Sequence, residues 1–269
     1  MKIGVIGAGN MGQALVQGFI KSRIHKSQDI YIYDKDQVKA RHFASEYELS
    51  YCENIKNIPA LVDIILLAVK PQNLGELALE LGGKLRRGTS IISILAGTSL
   101  DRLSELLTGE DLSYCRAMPN TPALVGEGVS ALCFKGGSSD FEDYCLNLFG
   151  SCGIALKVDE AKMDAVTAIS GSGPAYVMIF LKGLVEAGLD LGLTYDEAFT
   201  LATNTLRGTS SLAMKSEDGL QTLIDRVCSP GGTTIAAVDV FARESFEDII
   251  KMAARAAAKR SEELAQNKE

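Results

Sequence analysis

A chain of 269 residues, 46% apolar and 23% charged, carries enough apolar material for one large or two modest cores and is not composed like a disordered segment. Its formal charge of −7, with no basic stripe, argues against nucleic acid as a partner, since phosphate binding needs clustered Lys and Arg. The sequence reads as having no run near the ~18 apolar residues that span a bilayer, and no cleavage site follows its N-terminus, so a cytoplasmic protein off the membrane is expected.

The first 158 residues alternate strand-like and helical runs. Lys2–Ile6 reads as a strand, and Asn10–Lys21 as a helix with Ala14, Leu15, Gly18 and Phe19 near one face. Ile30–Tyr33 is a second strand, followed by a charged helix from Lys35 to about Tyr47. Val62–Ala68 and Thr89–Ser93 have the apolar centres of strands covered on both faces, and Ser113–Ala117, Val129–Phe134 and Gly153–Val158 continue the set. This pattern predicts an α/β, Rossmann-like, mostly parallel doubly wound sheet over residues 1–158.

From Asp159 the pattern is helical, predicting an all-α domain over residues 159–269. Ala175–Leu191 and Tyr195–Met214 read as helices, a Ser-Pro-Gly-Gly break at 229–232 precedes another, and Glu244–Gln266 is an Ala-rich helix former. Ala175–Leu191 and Leu201–Leu212 are apolar over much of their circumference, more than a domain this small can bury, which predicts a subunit interface. The six cysteines are scattered without a Cys-x-x-Cys, so they are expected to be reduced core residues, and no metal site is expected.

Gly7-Ala8-Gly9-Asn10-Met11-Gly12 follows the first strand and opens the first helix. In that setting Gly7 makes the tight turn, Gly9 lets a pyrophosphate approach the backbone, and Gly12 lets helix pack on strand. The free N–H groups of the helix start favour phosphate. Asp34 ends the second strand, 22 residues beyond Gly12, where a carboxylate accepts from a ribose 2′-OH and repels a 2′-phosphate. Lys35, Lys39 and Arg41 stand close enough in sequence to offset that repulsion. The expected cofactor is NADPH or NADH, with Asp34 favouring NADH.

A nicotinamide enzyme usually employs a His or Lys as acid/base. His25 and His42 both lie in polar stretches of the nucleotide half and read as surface residues. An imine substrate removes the need for either, because its nitrogen can arrive protonated. Four segments look built for a small anionic ligand: Ala68-Val69-Lys70-Pro71, Arg116–Pro122, Ala168–Tyr176 (read as a Gly/Ser turn before a helix) and Ser229–Thr234. Each of the last two also reads as a plain helix cap.

Gly7–Gly12, Ala68–Pro71, Arg116–Pro122, Asp164–Tyr176 and Ser229–Ala237 together resemble the delta-1-pyrroline-5-carboxylate reductase family, over essentially the whole chain. Ser-Pro-Gly-Gly-Thr-Thr-Ile-Ala-Ala is the most specific of these matches. The resemblance implies reduction of a cyclic imino acid to L-proline by hydride from NAD(P)H, in dimers that associate further into decamers. It implies that Ser229 and the backbone of Gly231, Gly232 and Thr233 hold the substrate carboxylate, with the Thr234 hydroxyl on the ring nitrogen and Glu217 facing the pocket. It also implies that Ala68, Val69, Lys70 and Pro71, with Met118, Pro119 and Asn120, line the nicotinamide end, and that Asn54 lies near the adenosine ribose. Asp34 departs from the members that accept a 2′-phosphate, and Cys228 stands where Ser or Thr is usual. Two other readings are a β-hydroxyacid dehydrogenase, for which Lys162 would have to be the active lysine, and a non-catalytic nucleotide-binding protein. The first lacks a supporting motif around Lys162, and the second would be expected to lose the Ser229–Thr234 turn.

Overall fold

The computed structural model describes residues 1–266. In the first part of the chain, the β-branched and leucine-rich runs form eight strands: β1 (Ile3–Ile6), β2 (Ile30–Tyr33), β3 (Ser50–Tyr51), β4 (Ile64–Leu67), β5 (Ser90–Ser93), β6 (Ser113–Met118), β7 (Gly128–Lys135) and β8 (Gly153–Lys157). They make one sheet in the order β3-β2-β1-β4-β5-β6-β7-β8. Every neighbouring pair is parallel except β6 and β7. The connecting helices are α1 (Asn10–Lys21), α2 (Gln37–Glu46), α3 (Ile58–Leu61), α4 (Leu74–Leu81), α5 (Leu100–Leu106) and α6 (Ser139–Gly150).

Alternation along the strands sends side chains to two cores. Ile3, Val5, Ile64 and Leu66 pack with Leu15 and Phe19 of α1 and Leu148 and Phe149 of α6. Ile6, Ile65 and Leu67 pack on the other face with Ile58, Leu77, Leu81 and Leu103. The sheet thus has helices on both faces, as a parallel arrangement requires. Between β1 and β4 the strand order reverses, with Ile6 opposite Leu67. This opens a crevice at the carboxyl edge, where ligands of such sheets bind.

Packing divides the described residues into two compact units, Met1–Ser172 joined by residues 257–266, and Gly173–Ala256. The sequence division at 158 marks where strands stop. The short helix α7 (Met163–Val166) still packs on the sheet, with Met163 buried beside Leu103 and Tyr114. Within the same unit the Ser261 hydroxyl donates to Asp164 Oδ1 at 2.6 Å.

The second unit holds α8 (Gly173–Asp190), α9 (Tyr195–Lys215), α10 (Leu220–Val227), α11 (Thr233–Arg243) and the start of α12 (Phe246–Gln266). Thr194 and Glu197 form a reciprocal capping box at the start of α9. Among its large apolar side chains only Val185 is buried, while Ile179, Leu191 and Met214 are 71%, 85% and 75% exposed. The unit therefore cannot bury its own apolar surface, as the sequence predicted.

Two sequence expectations fail together here. Ala168–Tyr176 is not a turn. Thr167–Gly171 forms a π-helical turn that joins α7 to α8, so helix continues through the Gly/Ser segment. The resulting helical run, Glu160–Asp190, has 31 residues and contains an 18-residue window of mean hydropathy 1.3, which by length and composition is enough to cross a membrane. Reading a break at Gly171–Pro174 concealed that run.

His25 is also not a surface residue. It is buried, with Nε2 2.6 Å from the Tyr144 hydroxyl, and burial lowers its pKa from the ordinary 6.5. Protonation is thus easier in the unfolded chain, so stability present above pH ~6.5 is lost as pH falls through the depressed folded value. Melting temperatures from pH 7.5 down to 5 should fall more steeply for the wild-type chain than for His25→Gln; equal slopes would contradict this. The six cysteines are free, five of them buried.

Candidate active site

Because β1 and β4 are hydrogen-bonded neighbours, the turns that leave them lie side by side. Gly7 N–H donates to Tyr33 O and Ala68 N–H to Ile6 O, each at 2.8 Å. Gly7 has φ +113°, and a Cβ there would lie 2.5 Å from Ala68 O. A Cβ on Gly12 would lie 2.4 Å from Gly7 O, so α1 sits directly on the turn. Gly9 differs from both, since a Cβ there would meet nothing within 4 Å. Gly9 is also the N-cap of α1, and no side chain bonds the free N–H groups of the first turn, which spans Asn10, Met11 and Gly12. A helix start left open in this way is suited to an anion.

Asp34 closes the other side. Its Oδ2 accepts from Ala8 N–H at 2.6 Å and its Oδ1 from Asp36 N–H at 2.9 Å. These bonds fix the carboxylate at the rim of a cleft of about 440 Å³, also lined by Gly7, Gly9, Lys39, Ala68, Val69 and Lys70. Lys35 lines the cleft too, but its Nζ lies 2.5 Å from Glu76, a bond that raises its pKa. Arg41 is paired with Glu53 at 2.9 Å. Lys39 makes no ion pair among the described residues, so it alone of the three neighbouring cations is uncommitted. Pro71 starts a short 3₁₀ turn after Lys70. Asn54 is exposed and caps the following 3₁₀ turn through Lys56 N–H, outside the cleft lining.

Met118, Pro119 and Asn120 leave β6 at the same carboxyl edge. Pro119 and Asn120 are buried, and the Asn120 side chain is already engaged: Oδ1 accepts from Val129 N–H at 2.9 Å and Nδ2 donates to Ser170. Arg116, at the head of the segment read as anion-binding, is likewise spent inside. It is 7% exposed and pairs with Glu160 at 3.2 Å, whose Oε1 also accepts from Leu100 N–H at 2.7 Å. Neither arrangement is legible from a local motif, since the partners stand 50 and 44 residues away.

In the second unit, Ser229–Thr234 makes a tight turn into α11. Gly231 has φ +69°, and Gly232 N–H donates to Ser229 O at 3.0 Å. Ser229 Oγ folds over Gly232, where a Cβ would lie only 2.3 Å from it. Gly232 is the N-cap of α11 and no side chain caps the helix, so the Ser229, Thr233 and Thr234 hydroxyls are not consumed as caps. Glu217 is exposed in the loop before α10, held by Asp218 bonds to Ser216 and Arg226. Within one chain the eight residues of α10, ~12 Å of helix rise, separate it from Ser229. The structure therefore gathers the glycine loop, Asp34 and Ala68–Lys70 in one cleft, while α10 stands between Glu217 and the Ser229–Thr234 turn along the chain. Lys162 is exposed and pairs with Asp159 at 3.1 Å, with no feature of an active lysine.

A family model for the dimerisation region of pyrroline-5-carboxylate reductase matches residues 160–264. A model for coenzyme F420-dependent NADP oxidoreductases matches residues 2–97. Along its length the chain is 35% identical to pyrroline-5-carboxylate reductase of Arabidopsis thaliana, over 99% of this chain and 96% of that protein. The chain belongs to the pyrroline-5-carboxylate reductase family. The Escherichia coli K12 member is 33% identical over 99% of both chains. Among solved structures, the Plasmodium falciparum pyrroline carboxylate reductase with NADP bound matches at a TM-score of 0.90 and 32% identity, covering 99% of this chain and 98% of that one. The Coxiella burnetii member matches at 0.89 and 29% identity, covering 99% of both. The family model over residues 160–264 identifies the apolar helices as a dimerisation region.

Proposed function

We propose that the chain reduces (S)-1-pyrroline-5-carboxylate to L-proline with NAD(P)H, the last step of proline formation. The observation that carries the reading is the intact Ser229–Thr234 turn, whose hydroxyls and helix N–H groups stay uncapped in a chain that also keeps an open dinucleotide loop. The open space over Gly9 and the rim carboxylate of Asp34 fit a dinucleotide. Gly7–Gly12 would hold its pyrophosphate and Asp34 a ribose hydroxyl, while Ala68–Pro71 and Met118–Pro119 would line the nicotinamide end. When bound, the nicotinamide supplies hydride to the iminium carbon of the substrate.

The protein's own part is to bind and orient. Ser229 and the N–H groups of Gly231, Gly232 and Thr233 would hold the substrate carboxylate, with Glu217 facing the pocket. Thr234 would place the ring nitrogen by one hydrogen bond. With that nitrogen already protonated, no strong side-chain acid is needed, consistent with a structure in which His25 is buried against Tyr144. Orientation then carries most of the rate gain. The test is loss of NAD(P)H absorbance when purified protein meets pyrroline-5-carboxylate. No loss with either cofactor would refute the reading.

We further propose NADH as the better cofactor. Asp34 is fixed by two backbone N–H groups, and two of the three neighbouring cations are committed to Glu76 and Glu53. kcat/KM should favour NADH, and Asp34→Asn, which keeps an acceptor but loses the charge, should shift the preference toward NADPH by about tenfold. Preference for NADPH in the wild-type chain would contradict it. The exposed apolar faces of the dimerisation region, including that of Glu160–Asp190, fit burial against a second copy rather than lipid. We place the enzyme in the cytoplasm, without nucleic-acid partners, as dimers that assemble into decamers.

A further inference from the structure

The π-helical turn Thr167–Gly171 is a rare conformation with a definite effect: one residue added to a helical turn rotates the rest of the helix by ~100° about its axis. Within this turn, Ser170 and Gly171 lie against the segment leaving β6. Asn120 Nδ2 donates to the Ser170 carbonyl at 3.2 Å and reaches the Ser170 hydroxyl at 3.3 Å. The Asn120 oxygen is held by Val129 N–H at 2.9 Å, so the amide is committed at both ends inside the protein. Gly171 meets Met118 so closely that a Cβ would lie 2.5 Å from Met118 Cε. Successive residues of the π turn thus hold both ends of Met118-Pro119-Asn120. In α7, just before the turn, Asp164 accepts from the buried Ser261 hydroxyl.

We propose that Ser170 is a positioning residue: through Asn120 it fixes the Met118–Pro119 segment, and so sets the placement of the nicotinamide at the carboxyl edge of the sheet. The inference rests on the reading in which that segment lines the nicotinamide end. On this account Asn120 serves as a clamp rather than as a ligand of the cofactor.

The test compares wild-type, Ser170→Ala and Ser170→Thr chains by the emission of bound NADH, its Kd, and steady-state rates. Ser170→Ala should bind NADH within about twofold of wild type, because the pyrophosphate and ribose contacts lie elsewhere, yet shift the emission of the bound nicotinamide and lower kcat about tenfold. Ser170→Thr keeps the hydroxyl and should restore both. Unchanged emission and kcat in Ser170→Ala would overturn the proposal, as would a lowered Tm with wild-type emission and rate. A loss that Ser170→Thr shares is a packing effect and overturns it too. If the wild-type chain binds NADH but reduces no cyclic imine, the functional reading falls, and the emission of Ser170→Ala alone decides the clamp.

Discussion

Gly7→Ala should abolish measurable NAD(P)H binding and lower stability by about 3 kcal/mol, because two independent penalties fall on one atom. The backbone at Gly7 has φ +113°, which an L side chain rarely adopts, and the added Cβ would lie 2.5 Å from Ala68 O. That oxygen is backbone, and the Ala68 N–H bond to Ile6 O fixes its strand against β1, so no rotamer change gives relief. Relief requires the β1 and β4 turns to part, which dismantles the cleft. Gly9→Ala separates cofactor binding from folding. Its Cβ meets nothing in the free protein, so the Tm should stay at the wild-type value while the Kd for NADH rises about a hundredfold as the methyl occupies the pyrophosphate approach. Thermal melts and fluorescence titration of both variants check this. Wild-type binding by Gly7→Ala, or equal loss of Tm in both, would contradict the assignment of the glycines.

Thr234→Ala should lower kcat/KM for the cyclic imine about a hundredfold while leaving the Kd for NADH and the Tm near wild type. Thr234 stands in the first turn of α11, whose start is capped by Gly232 without help from any side chain, so removing the hydroxyl costs the helix no cap. The loss should fall on the orientation of the ring nitrogen. Thr234→Ser retains the hydroxyl and should recover most of the activity. Unchanged kinetics in Thr234→Ala would remove Thr234 from the mechanism, and a matching fall in Tm would make it a packing residue.

The parts of the fold that were legible are those in which one residue's neighbours in sequence are also its neighbours in space. Asn10–Lys21 and Ile30–Tyr33 agree with the structure to the residue, because a glycine turn opens the one and polar flanks bound the other. β3 escaped notice because two residues, Ser50 and Tyr51, carry no periodicity. The antiparallel β6–β7 pair was hidden because the two runs are as apolar as parallel ones, and only the short Thr121–Val125 connection hints at their direction. Gly171–Pro174 misled because glycine and proline are read as punctuation, whereas here Gly171 is small so that Met118 can approach.

The candidate site divides in the same way. The roles expected of Gly7, Gly9 and Gly12 follow from their spacing together with the strand before them, the helix after them and Asp34, and a Cβ would clash at Gly7 and Gly12 but meet nothing at Gly9. The bond from Ala8 N–H to Asp34, the Asn120–Ser170 clamp and the Arg116–Glu160 pair join residues 26, 50 and 44 positions apart, which no local pattern reveals. His25 read as a surface residue because its stretch is polar, and its burial depends on Tyr144, 119 residues away. The exposed apolar helices of the second unit were legible as an excess, since their composition outruns what so small a unit can bury.

Direct hydride transfer to the imine carbon of pyrroline-5-carboxylate stands at the centre of this account. It is tested most directly by incubating the purified chain with that substrate and NADH carrying deuterium at C4, on each face in turn, and analysing the product. The expected product is L-proline with one deuterium at C5 from one face of the cofactor and none from the other. Proline without deuterium from either face, or no proline at all, would contradict it.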